Sequence, residues 1–114
     1  MKRVSALSVS LALILAAGAA HAAGGDPKAG KEKAQTCASC HGEKGRAGQA
    51  NYPKLAGQHA DYLYRALEQY KSGERQNNVM AGMVSDLSDQ DMRDLAAYYA
   101  SQEAAVFTMP RSGD

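Results

Sequence analysis

Cys37-Ala38-Ser39-Cys40-His41 constrains this chain more than any other stretch of it. Two thiols three residues apart, with an imidazole directly after the second, match the C-x-x-C-H pattern of covalent haem attachment. Each residue has a task in that chemistry. The thiols add to the two vinyl groups of a haem, and the two-residue gap sets the sulfurs at the spacing of those vinyls. His41 comes beneath the iron on the same short turn. Other uses of the two cysteines fit less well. A thioredoxin-like redox pair belongs in a βαβ setting, and no segment here alternates like a strand. Zinc needs a second ligand pair, which His59 and His21 do not supply. A disulfide across two residues closes too small a loop to staple a fold, and it leaves His41 without a role. The motif therefore implies one haem c, bound through Cys37 and Cys40, with His41 on the iron.

The chain has 114 residues, room for one domain. Its start differs from the rest. Lys2 and Arg3 precede an uncharged run from Val4 to Ala20, and Ala20-His21-Ala22 places small residues at the two positions a signal peptidase reads. The run is short for a membrane span and ends at a cleavage site, not at a stop-transfer cluster. Residues 1–22 are thus expected to be a cleaved signal peptide, and 23–114 a single exported domain with no stable membrane insertion. Losing Lys2 and Arg3 moves the formal charge from +1 to −1. A near-neutral, two-signed surface argues against nucleic acid, which requires a dominant basic face.

The expected class is all-α, with three main helices. Asp26 before Pro27 reads as an N-cap with proline at the first helical position, opening a helix over Lys28–Thr36. The glycines at 42, 45 and 48 mark a loop. A second helix, Gln58–Ser72, carries Leu63, Ala66, Leu67 and Tyr70 as one apolar stripe and stops at Gly73. Glu74–Asp86 shows no sustained period and reads as an irregular surface segment. Ser88-Asp89-Gln90-Asp91 then has capping-box spacing, and Met92, Leu95, Ala96 and Tyr99 form the core stripe of a last helix ending near Gln102. So few apolar contacts make a thin core, which a bound group must complete.

An electron carrier keeps its iron six-coordinate, and a methionine thioether opposite histidine does this while raising the reduction potential. The candidates are Met80, Met83, Met92 and Met109. Met92 belongs to a core stripe and Met109 to the tail. Met80 and Met83 share the segment before the last helix, and spacing alone does not separate them.

The chain resembles the class I c-type cytochromes, specifically single-haem relatives of the bacterial cytochrome c-four group. The resemblance runs from Gly30 to Gln102. It is carried by Cys37-Ala38-Ser39-Cys40-His41-Gly42, Tyr52-Pro53-Lys54-Leu55-Ala56-Gly57-Gln58, Met80-Ala81-Gly82-Met83, and Leu87-Ser88-Asp89-Gln90-Asp91 with Leu95-Ala96-Ala97-Tyr98-Tyr99. It implies the class I fold, with three main helices packed around one covalent haem. In that family the ligand methionine stands seven residues before the leucine preceding the last helix, which selects Met80 and leaves Met83 as a haem contact. Pro53 stands where the family's proline carbonyl accepts a hydrogen bond from the ligand histidine; without the resemblance it reads equally well as a turn. Leu55 stands where a haem-packing residue is found, and Gly30 where the first and last helices cross. With one C-x-x-C-H and half the length of the two-haem group, the chain does not imply tandem-haem chemistry.

The function expected is periplasmic one-electron transfer between larger redox proteins, not enzyme catalysis. A haem-bearing subunit of an oxidoreductase complex and a sensor with an open iron position are the alternatives. Lys28, Lys31, Lys33, Lys44, Arg46 and Lys54 flank the attachment segment and suit the steering of an acidic partner, or simply a solvated surface. Tyr52, Tyr62, Tyr64, Tyr70 and Arg75 are candidates to reach the haem propionates; His59 reads as a surface residue.

Overall fold

A computed structural model describes residues 24–104. The expected signal segment, 1–22, and Met109 lie outside the described residues. Those described form five α-helices and one 3-10 turn, with no strand among them.

Helix α1, Pro27–Lys33, opens as its sequence predicts. The Asp26 carboxylate accepts the Lys28 N–H at 2.9 Å, and Pro27 takes the first turn. The expected end at Thr36 is wrong. Ala34 interrupts regular geometry for one residue, and α2, Gln35–His41, follows at once, so the attachment motif is itself helical. The hydrogen-bond ladder crosses the interruption: Ala34 N–H reaches Gly30 O and Ala38 N–H reaches Ala34 O, both at 2.9 Å. Thr, Ser and Cys are weak helix formers, and only this continuing ladder and packing keep the segment helical. Gly42, at φ +77°, ends it and leads into the 3-10 turn Glu43–Gly45.

Helix α3, Ala60–Ser72, begins two residues later than expected, with His59 exposed at its cap, and ends at Gly73 in the left-handed region as predicted. Helix α4, Asn78–Val84, replaces the irregular segment expected there. Asn77 caps it by accepting the Met80 N–H at 3.0 Å. Only Val84 of this helix is buried against protein. A seven-residue helix with one core contact leaves no period to read. Helix α5, Asp89–Ala100, carries the predicted capping box of Ser88 and Asp91.

Helix α5 packs on α1 and α3, and α4 packs on α3. The core is small: Ala34, Leu63, Leu95, Ala96, Tyr98 and Tyr99, with Cys37, Leu55 and Leu67 against it. At the α1–α5 crossing a Cβ on Gly30 would stand 2.0 Å from the Asp94 carbonyl oxygen and 2.7 Å from Tyr98 Cβ. No side chain fits there. Beside the crossing, buried Asp94 ties the two helices. Its carboxylate accepts from Lys33 Nζ at 2.6 Å, from the Asp26 N–H at 2.7 Å and from the Gln90 amide at 2.8 Å. Lys33 also pairs with Asp91 at 2.8 Å, so its charge is spent inside the fold and not on steering. Arg46 is likewise engaged, with Glu103 at 3.0 Å.

Two expectations follow from this crossing. Gly30→Ala forces backbone apart and should cost about 3 kcal/mol of stability, read from chemical denaturation. The clamp also sets an acid response. The Lys33 ammonium and the Ser88 N–H hold Asp91 at a pKa of about 2. Burial works against ionisation of Asp94, but Lys33, the Asp26 N–H and Gln90 outweigh it and keep its pKa below the ordinary value. Depressed carboxylates stabilise the fold above their unfolded pKa, near 4, and lose that contribution as pH falls toward 2. Lys33→Met should therefore cost about 1–2 kcal/mol near neutrality. The gap to the parent should narrow between pH 4 and pH 2 in a series of denaturation curves.

Candidate haem site

Helix α2, the loop after the 3-10 turn, and helices α3, α4 and α5 enclose a cavity of about 460 Å³. All seven residues singled out from the sequence lie on its wall: Cys37, Cys40, His41, Pro53, Leu55, Met80 and Met83. The apolar stripe of α3 also turns here. Leu63, Ala66, Leu67 and Tyr70 all line the cavity. These helices present apolar surface to a space that protein does not fill.

His41 is buried at the end of α2, and its Nδ1 lies 2.8 Å from the Pro53 carbonyl oxygen. A carbonyl can only accept, so Nδ1 carries the proton and Nε2 keeps its lone pair for a metal. The backbone between them is folded to make that contact. Ala47 N–H bonds the His41 carbonyl at 2.7 Å, and the Leu55 and Ala56 N–H groups both bond Gly45 O, at 2.8 and 3.1 Å. Gly45 itself, at φ +75°, would bring a Cβ to 2.7 Å from Tyr99 Cδ1. Tyr52 meets the His41 ring edge-on at 6.4 Å.

Cys37 and Cys40 are free, half-buried thiols one helical turn apart. Burial pushes the Cys37 thiol above its ordinary pKa, and the adjoining Tyr99 hydroxyl only partly offsets this. A redox-active or metal-chelating pair needs the opposite shift. Among the described residues no group of three His, Cys, Asp or Glu side chains could hold a metal ion.

The tyrosines divide. Tyr52, Tyr62 and Tyr70 line the cavity, as does Arg75, whose guanidinium lies 4.9 Å from the centre of the Tyr70 ring. Tyr64 does not reach it. Its hydroxyl bonds Glu68 and Asp89 on the outer α3–α5 surface, and Arg93 lies 4.3 Å from its ring centre. Met92 is buried in α5 away from the cavity. Tyr99, read as core, is also a wall residue. Its hydroxyl is buried and completes no hydrogen bond within the protein, a defect worth about 1–3 kcal/mol unless something in the cavity satisfies it. A hydroxyl on the inner stripe of the last helix was the available signal. An apolar cavity with two free thiols, an oriented imidazole and one unsatisfied donor fits haem c.

The sequence profile described as Cytochrome c matches residues 27–103. The chain belongs to the cytochrome c family. It is 48% identical over 101 residues to cytochrome c4 of Pseudomonas aeruginosa, an alignment covering 88% of this chain and 50% of that one. Cytochrome c-554(548) of Halomonas halodenitrificans is 44% identical over 82 residues, 69% of this chain and 99% of the relative. Among solved structures, reduced recombinant cytochrome c4 from Pseudomonas stutzeri superposes with a TM-score of 0.67 at 42% identity, over 69% of this chain and 46% of that one. The chain thus spans about half the length of the cytochrome c4 relatives it matches. The fold is that of class I cytochromes c, and the group it holds is haem c, attached at Cys37 and Cys40.

A fold with this much of its wall given to one ligand depends on it. A Cys37→Ala, Cys40→Ala double variant made without haem should lose roughly half or more of its helical signal in far-ultraviolet circular dichroism.

Proposed function

We propose that this cytochrome is a periplasmic one-electron carrier whose iron is held between His41 Nε2 and Met80 Sδ. The observation that carries the reading is the 2.8 Å contact of His41 Nδ1 with Pro53 O, inside the cavity that also receives both thiols and Met80. When bound, the haem supplies an iron that gains and loses one electron. The chain's own residues do the rest. Pro53 fixes the imidazole tautomer and strengthens Nε2 as a donor. Asn77 fixes the first turn of α4, which positions Met80. Met80 is half-buried, whereas Met83 is 37% exposed at the mouth, which supports Met80 as ligand and Met83 as a contact at the haem edge. Leu55 packs the wall between Pro53 and the core.

Two protein ligands leave no iron position for substrate, so the protein is not an enzyme in this reading. The positive start, uncharged run and Ala20-His21-Ala22 support export with cleavage before Ala23, leaving residues 23–114 as the mature domain. Tyr62, Val79 and Met83 are exposed apolar side chains on the cavity wall and suit a brief docking contact with larger redox proteins as donor and acceptor.

Carbon monoxide tests the ligand pair. The reduced parent and Met83→Ala should bind it slowly, and Met80→Ala quickly; Met80→Ala alone should lose the methionine–iron charge-transfer absorption. Rapid binding by the parent would mean an open iron position.

A further inference from the structure

Among the described residues, Tyr99 carries the one buried side-chain polar atom left without a partner. It is only 4% exposed, its hydroxyl is buried, and no protein group completes a hydrogen bond to it. The ring is packed on the protein side, which restricts its movement away from the cavity. Gly45 has no room for a Cβ against it, and the Tyr98 ring lies 5.0 Å away at 57°. Its own carbonyl is anchored by the Gly57 N–H at 2.9 Å and the Gln102 N–H at 3.2 Å. The hydroxyl is thus held in the cavity wall beside Cys37, which packs against the same cluster.

Attachment changes what that sulfur can do. As a thiol, Cys37 has a proton of its own and can act as donor or acceptor. As a thioether, it has lone pairs and no proton, so it can only accept. A phenol fixed beside it can then only donate. We propose that the Tyr99 hydroxyl donates a hydrogen bond to Cys37 Sγ in the attached protein, and that this bond raises the reduction potential. The polar hydrogen places the positive end of a dipole against the edge of the ring through which the thioether is joined. Adding an electron makes that ring more negative, so the dipole favours the reduced form over the oxidised one. Hydrogen bonding around a redox centre in a buried site is a recognised lever on its potential.

The inference rests on haem attachment at Cys37, and the two fail differently: without attachment the protein is colourless, whereas without this bond it is coloured and untuned. The test uses mature haem-loaded protein. Tyr99→Phe keeps the ring and removes the donor, and its midpoint potential should fall below the parent's while the axial-ligand absorption stays the same. Tyr98→Phe removes a hydroxyl from the same ring pair, off the cavity wall, and should leave the potential unchanged. Independently of any variant, the thioether C–S stretching band of the parent in resonance Raman spectra should shift in deuterium oxide. A Tyr99→Phe midpoint equal to the parent's, or a C–S band indifferent to deuterium as a trapped water partner would leave it, overturns the proposal.

Discussion

The Nδ1 proton of His41 can be given to one acceptor, and much of the fold follows from its going to the Pro53 carbonyl at 2.8 Å. That contact requires the chain to leave α2 sharply, turn, and come back beside the imidazole within twelve residues. Gly42 at φ +77° makes the exit, and Gly45 accepts from Leu55 and Ala56 to close the return. The same return lays Leu55 and Pro53 on the cavity wall. Ring orientation, proton position and one side of the pocket are thus set by a single stretch of loop.

Stability and ligand binding are divided between two regions. The α1–α5 crossing, with Gly30 against the Asp94 carbonyl and the Lys33–Asp94 clamp beside it, is made wholly of protein. Helices α3 and α4 are different. The stripe of α3 and the methionines of α4 face the cavity, and each helix buries a single residue outright. The first region holds the attachment helix in place; the second gains its packing from what is attached.

The parts of this molecule that could be read in the sequence are those whose logic is local. Cys37, Cys40 and His41 sit within one pentapeptide, and the caps at Asp26 and Ser88 are short-range patterns. Met80, Pro53 and Leu55 were reached through family resemblance, because their meaning depends on a partner far along the chain. Helix α4 escaped for a physical reason: seven residues with a single core contact at Val84 are too few to show a period. The stripe of α3 was seen, but what covers it was not, since periodicity reports only that a face is apolar. Lys33 resembled its basic neighbours until the fold brought it to Asp94, 61 residues away. Tyr99 looked like core for the same reason its hydroxyl now stands out: burial is visible in the pattern, and an unmet donor is not.

The ladder that crosses Ala34 makes α1 and α2 behave as one rod from Asp26 to Gly42. One end of that rod is pinned to α5 and the other holds both sulfurs and the imidazole. Electron exchange is fast when nuclei need to rearrange little between the two charge states. Contacts made to the loops or to α4 in the proposed docking fall outside this run, which is braced against α5 at Gly30. In the proposed one-electron exchange, a hydrogen-bonded run braced at Gly30 is the element of this fold best placed to keep reorganisation low.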